Sequence, residues 1–235
     1  NGWLTPTDSW SANLNNQGTV NKNNGAVHFT IGSTTVTNSG TITINSGEFR
    51  ANTTTFTNNG IIAANPGTAL RSTTSTFNHN SGASITGLPH LILQSGTFNL
   101  NAGSTLNALP QLTASGATFN PGIAVNATSY LLSGGNVNGP QPINVPTGGT
   151  FTWTGGFIGS TAVLNLATGS TGTFNPTNNL SLSGTVNNSG TWTMQSGNLF
   201  PNGSPSLFNN LTGGIIDLNG WLTPTDSWSA NLNNQ

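Results

Sequence analysis

At 235 residues the chain has material for one large core or for one stretch of a repeat protein. Only 3% of it is charged, with a formal net charge of −1, so no basic patch exists for nucleic acid or for an anionic membrane surface. There is no cysteine, and no apolar run approaches the roughly 20 residues of a membrane span, which excludes disulfides and a helical anchor within these residues.

The chain begins with NGWLTPTDSWSANLNNQ at 1–17 and the same seventeen residues return at 219–235, an offset of 218. It starts at Asn1 without Met and reads as an excerpt or mature segment, any secretion signal lying outside it. Residues 1–218 are expected to form one complete repeat, and 219–235 the start of the next.

Inside the long period runs a short one. An apolar residue in a T-[FV]-[TN] setting recurs at Val36, Phe56, Phe77, Phe98 and Phe119, with spacings of 20, 21, 21 and 21. Leu14 precedes this column, and Val137, Ala162, Val186, Phe208 and Leu232 extend it through more irregular steps. Ten such units then fill the long period. A second column, Phe29, Phe49, Leu70, Leu91 and Leu112, keeps the same spacing between mostly polar neighbours, the alternation of a half-buried strand. Third strands follow the turn glycines: TITI at 41–44, IIAA at 61–64, TWTM at 191–194 and IIDL at 215–218. Asn, Ser and Gly stand between the strands, where turns need positive φ, and nothing has the period of an amphipathic helix. Asn38, Asn59, Asn188 and Asn210, each shortly before a glycine, are expected to stack as a side-chain ladder at a turn.

Short strands recurring once per unit with in-register apolar columns predict an all-β, parallel β-solenoid (β-helix) of about ten coils of about 22 residues, right-handed by the usual crossover rule. One coil cannot offset its own backbone ordering, about 1–2 kcal/mol per residue, so stability must come from stacking. Units such as VTNSGTITINSGEF and VNNSGTWTMQSGNLF resemble the Asn/Gly/Thr-rich β-solenoid repeats of bacterial surface adhesins, such as filamentous haemagglutinin and autotransporter passenger regions. The resemblance implies a secreted, rigid, rod-like protein at the cell surface, although the near absence of charge departs from it.

Chemistry-bearing residues are few. His28 and Glu48 align on neighbouring coils with Arg50 beside them, either an acid–base pair or ordinary cross-strand complementarity. Arg50 and Arg71 stack on adjacent coils, either gripping an acidic ligand or splaying into water. His79, His90 and the scattered Asp8, Asp217 and Asp226 do not form a metal-ligand set, and no cofactor or catalytic residue is expected. Thr35/Thr37, Thr55/Thr57 and Thr76/Asn78 begin a T-x-T array of the kind ice-binding solenoids present, but it drifts to Asn. Trp3 and Trp10, with Trp221 and Trp228, offer either a platform for stacking carbohydrate or a turn packed onto the barrel wall. Glycosylation sequons occur at Asn52, Asn126, Asn179, Asn187, Asn202 and Asn210. The expected role is a non-catalytic structural repeat of an extracellular fibre or giant adhesin, its partner being further copies of itself. A carbohydrate-binding adhesin module is the alternative, and an ice-binding solenoid a lesser one.

Overall fold

The computed structural model describes residues 9–23, 28–32, 34–177, 179–218 and 227–235. Among them every strand pairing between coils is parallel, and the whole forms a three-sided solenoid of about ten coils. In chain order each coil visits three faces, here called A, B and C.

Face A opens with Ser9–Trp10 and His28–Ile31, continues through Glu48–Ala51, Ala69–Ser72 and His90–Leu93, and ends with Thr171–Phe174, Thr191–Met194 and Ile215–Asp217. Face B opens with Leu14–Asn16, Thr35–Asn38 and Thr55–Asn58 and closes with Leu180–Leu182, Leu199–Pro201 and Trp228. Face C runs from Thr19–Lys22 and Thr41–Ile44 to Thr185–Asn188, Leu207–Asn210 and Asn231–Asn234.

Alternation within each strand decides what enters the core. In Thr55–Asn58 the side chains of Phe56 and Asn58 are buried while Thr55 and Thr57 stand outward. Val36, Phe56, Phe77, Phe98 and Phe119 form one buried column on face B, paired residue on residue. Because strands are stacked about 4.8 Å apart, aromatic rings on successive coils meet face to face: Phe56–Phe77 and Phe77–Phe98 have centroids 4.5 and 4.4 Å apart. Phe49, Leu70, Leu91 and Leu112 line face A, fully buried, and Phe29 at the head of that column is half-buried because it lies in the first coils. Each such side chain contributes about 1.5–3 kcal/mol by leaving water. Volume is matched between coils: a Cβ on Gly172 would lie 2.4 Å from the Trp192 ring, so the small residue makes room for the indole beneath it.

The irregular middle of the sequence reads differently in space. Three long strands, Leu109–Pro121, Val125–Val137 and Thr150–Ile158, carry face A around the corner into face B, the second of them starting on face C, with register shifts at Ala114/Ser115 and Leu132/Ser133. Phe119 pairs with Val137 across a shortened coil, and Val137 then pairs with Ile158, not Ala162. The column continues to Leu182 and Pro201. Val186 and Phe208 instead belong to face C, with Leu164 above and Leu232 below. TWTM and IIDL likewise lie on face A, whereas TITI and IIAA lie on face C.

The physical reason is a shift of the turn. In the first coils the N-x-G corner (Asn38-Ser39-Gly40, Asn58-Asn59-Gly60) joins face B to face C. After the three long strands the same corner, Asn188-Ser189-Gly190, joins face C to face A. Periodicity tracked the motif, and the motif moved by one face. The count of about ten coils stands, but the second copy of the seventeen-residue segment is not in phase with the first. Trp10 is on face A and Trp228 on face B, while Leu14 is on face B and Leu232 on face C.

Candidate functional site

Polar chemistry is concentrated in three places: a charged cluster on face A, the amide ladders at the corners, and the two ends of the coil stack.

On face A, in-register pairing brings Glu48 opposite His28 and Ala69, with Arg50 two residues along and opposite Arg71. Arg71 forks onto Glu48, Nε donating to Oε1 at 2.8 Å and Nη2 to Oε2 at 2.9 Å, while its Nη1 donates to Gln94 Oε1 at 2.9 Å. Arg50 Nε also donates to Glu48 Oε1. The two arginines therefore do not splay apart, because a carboxylate of their own chain lies between them. Burial works against the charge on Glu48, but hydrogen bonds from Arg71 and Arg50 outweigh it and hold the carboxyl below its usual range. A carboxylate held this way by two guanidinium groups is itself a weak proton acceptor. His90 meets Thr113 Oγ1 at 2.9 Å, and burial, then the Arg71 charge, lowers its imidazole pKa against the opposing pull of Glu48.

The expected Asn ladder exists at the corners, with one change of member. Asn16 Nδ2 donates to Asn38 Oδ1 at 2.6 Å, and Asn38 Nδ2 to Asn58 Oδ1 at 2.6 Å. Asn58, not Asn59, is the ladder residue, because strand alternation turns Asn58 inward beside Phe56 and leaves Asn59 outside, accepting from Asn80 at 2.7 Å. Asn188 Nδ2 donates to Asn210 Oδ1 at 2.8 Å, and Asn210 Nδ2 to Asn234 Oδ1 at 2.9 Å. The Nδ2 atoms of Asn16, Asn38, Asn188 and Asn210 also face main-chain oxygens, of Thr41, Ile61, Ile215 and Gly214 in turn. Those oxygens can only accept, so the orientation of each amide is fixed.

His79 takes the next place after Asn58, whose Nδ2 lies 2.9 Å from its Nδ1, and its Nε2 lies 3.0 Å from the oxygen of Thr105. An amide NH2 can only donate and a carbonyl can only accept, so His79 is the neutral imidazole protonated at Nε2. Burial lowers its pKa, opposed by the Thr105 hydrogen bond. Sequence reasoning left His79 without a role; the in-register column Asn38, Asn58, His79 was the signal that could have revealed it.

Outward-facing Asn residues form a second set. Asn120 donates to Asn99 and Asn99 to Asn78, both at 2.8 Å, so the array that begins as T-x-T turns within two coils into a ladder of mutually bonded amides. Among the sequons, Asn52, Asn126, Asn179 and Asn202 are exposed. Asn187 donates its Nδ2 to Asn165 within the face C ladder. Asn210 is 7% exposed and its Nδ2 is committed to Asn234 and Gly214, so a glycan there would break the corner.

Of the tryptophans, Trp3 and Trp221 lie outside the described residues. Trp10 sits over Ile31 on the first described coil and is half exposed. Its copy Trp228 packs edge-on against Phe208, centroids 4.9 Å apart, with Nε1 donating to Ala230 O. A small apolar cleft between coils is lined by Tyr130, Val137, Ile143, Ile158 and Ala162. Among the described residues no three His, Asp or Glu side chains come together as a metal site, and no helix is long and apolar enough to cross a membrane. No family model, curated protein or solved structure matches the chain.

Proposed function

We propose that the chain is a non-catalytic structural repeat of a secreted, rod-like extracellular fibre or giant cell-surface adhesin, lengthened by continuous stacking of coils. One observation carries the reading. Among the described residues the same Leu-Asn-Asn strand is the outermost rung at either end of the stack, pairing with the following coil at Leu14–Asn16 and with the preceding coil at Leu232–Asn234. A strand edge offers unpaired N–H and C=O groups to whatever matches it, and here the match is the chain's own sequence. The carbohydrate reading is weaker, because Trp228 packs into the solenoid and the face A arginines are already paired. The ice-binding reading is weaker too, because the Thr array lasts few coils. Immunogold labelling of source cells with antibody against the chain is expected to decorate filaments outside the envelope. Label confined to the cell interior would refute the proposal.

A further inference from the structure

The two copies of the seventeen-residue segment show the two halves of one environment. At the start of the chain Leu14 has Val36 on the coil below it; at the end Leu232 has Phe208 on the coil above it. Trp10 has Ile31 below, and Trp228 has Leu199 above. The amides complete the pattern. Asn234 accepts from Asn210, and its equivalent Asn16 donates to Asn38. Merged into one residue they make a head-to-tail ladder, Asn188 to Asn210 to the shared Asn to Asn38 to Asn58, with a single polarity and no reversal at the seam. Had the joint required two oxygens or two NH2 groups to face each other, each mismatch would have cost a buried hydrogen bond. The backbone agrees: Gln235 N–H donates to Asn210 O, as Ser39 N–H donates to Asn16 O one corner on.

The faces, however, do not coincide. The first copy occupies faces A and B and the second occupies faces B and C, so one long period advances the solenoid by ten coils and one further strand. We infer that the partner surface of each end is the opposite end of a second copy, joined with a rotation of one face, a third of a turn. Face B of the second copy continues face C of the first. At about 4.8 Å per coil each copy advances the rod by about 50 Å, and three copies, about 149 Å, restore the starting face. Any slow twist of the stacked sheets adds to this rotation. The consequence for a fibre is that an outward patch, such as the Glu48–Arg50–Arg71 cluster, is displayed on all three sides in a spiral instead of along one edge. The inference rests on the continuous-stacking reading.

A chain carrying residues 1–218 three times followed by 219–235 tests it. The natural sequence has no cysteine, so Gln111→Cys in every copy gives one gold-labelled site per repeat. Asn52→Cys, exposed at a turn, is an independent second label should the first disturb folding. Cryo-electron microscopy is expected to show one unbroken rod with three labels about 50 Å apart, each turned a third of the way round from the last. Labels in a straight line on an unbroken rod would overturn the rotation while leaving continuous stacking intact. Separate beads joined by linkers would overturn the stacking reading and the rotation with it.

Discussion

Replacing Asn188 by Asp probes the amide ladder, because the side chain keeps its shape, loses its donor and, when ionised, places a charge among acceptors. Asn188 is fully buried, and its Nδ2 donates to Asn210 Oδ1 at 2.8 Å and to Ile215 O at 3.1 Å, while Oδ1 accepts from Gly190 N–H at 3.2 Å. An ionised carboxylate leaves two buried acceptors facing another oxygen. At about 1–3 kcal/mol for each unsatisfied group, and more where the group is charged, the loss at neutral pH is at least about 2–6 kcal/mol. The introduced Asp is desolvated and faces acceptors, so its folded-state pKa rises above the unfolded value of about 3.9. Stability relative to the parent is therefore best below pH ~3.9, where the protonated carboxyl restores one donor, and falls as pH rises through the folded pKa. Urea unfolding of parent and variant at pH 7 and near pH 3.5, followed by tryptophan fluorescence, measures both quantities. The fully buried Trp192 on the next strand reports locally. A variant as stable as the parent at pH 7, or a loss that does not change with pH, would refute the reasoning.

Phe77→Ala removes a ring stacked on both Phe56 and Phe98 and is expected to cost about 3–5 kcal/mol, whereas Phe29→Ala, half-buried and with a looser 6.1 Å ring contact, costs less; comparable denaturant midpoints for the two would contradict the column packing. His79 has a folded pKa below its ordinary 6.5, so its share of stability is present above pH ~6.5 and is lost as pH falls through the folded pKa. His79→Asn restores the ladder residue of its neighbours and is expected to flatten that part of the pH profile, read from thermal midpoints between pH 7.5 and 5. Glu48 also has a lowered pKa, so its contribution is present above about pH 4.5 and fades as pH drops through the folded pKa. Glu48→Gln leaves Arg50 and Arg71 without their carboxylate and is expected to cost about 1 kcal/mol at neutral pH, less in high salt; a salt-independent effect would argue against the ion pair.

Regular coils were legible in the sequence because burial in a strand alternates with period two and stacking repeats that pattern once per coil. Phe56, Phe77 and Phe98 announce both periods at once. The Glu48–Arg71 fork was only half legible. Columns placed Arg50 beside Arg71, but side-chain reach, along the strand for Arg50 and across a diagonal for Arg71, decided that both turn to Glu48. An amide ladder could be expected from Asn before Gly, yet only strand alternation chose Asn58 over Asn59. The ladder role of His79 stayed hidden because imidazole does not look like a carboxamide in a pattern of letters, although it can accept at one end and donate at the other.

Local alternation and spacing are enough to establish that the chain is a stack of coils, roughly how many, and which apolar columns fill the regular ones. Which face each strand occupies after the long strands between Leu109 and Ile158 depends instead on how the coils close in three dimensions. There one coil is shorter than those before it and a corner is carried by continuous strand, so the same N-x-G turn reappears one face later. A turn motif records that the chain bends, not at which corner of the prism it does so, and that is why an identical segment begins on face A and returns on face B.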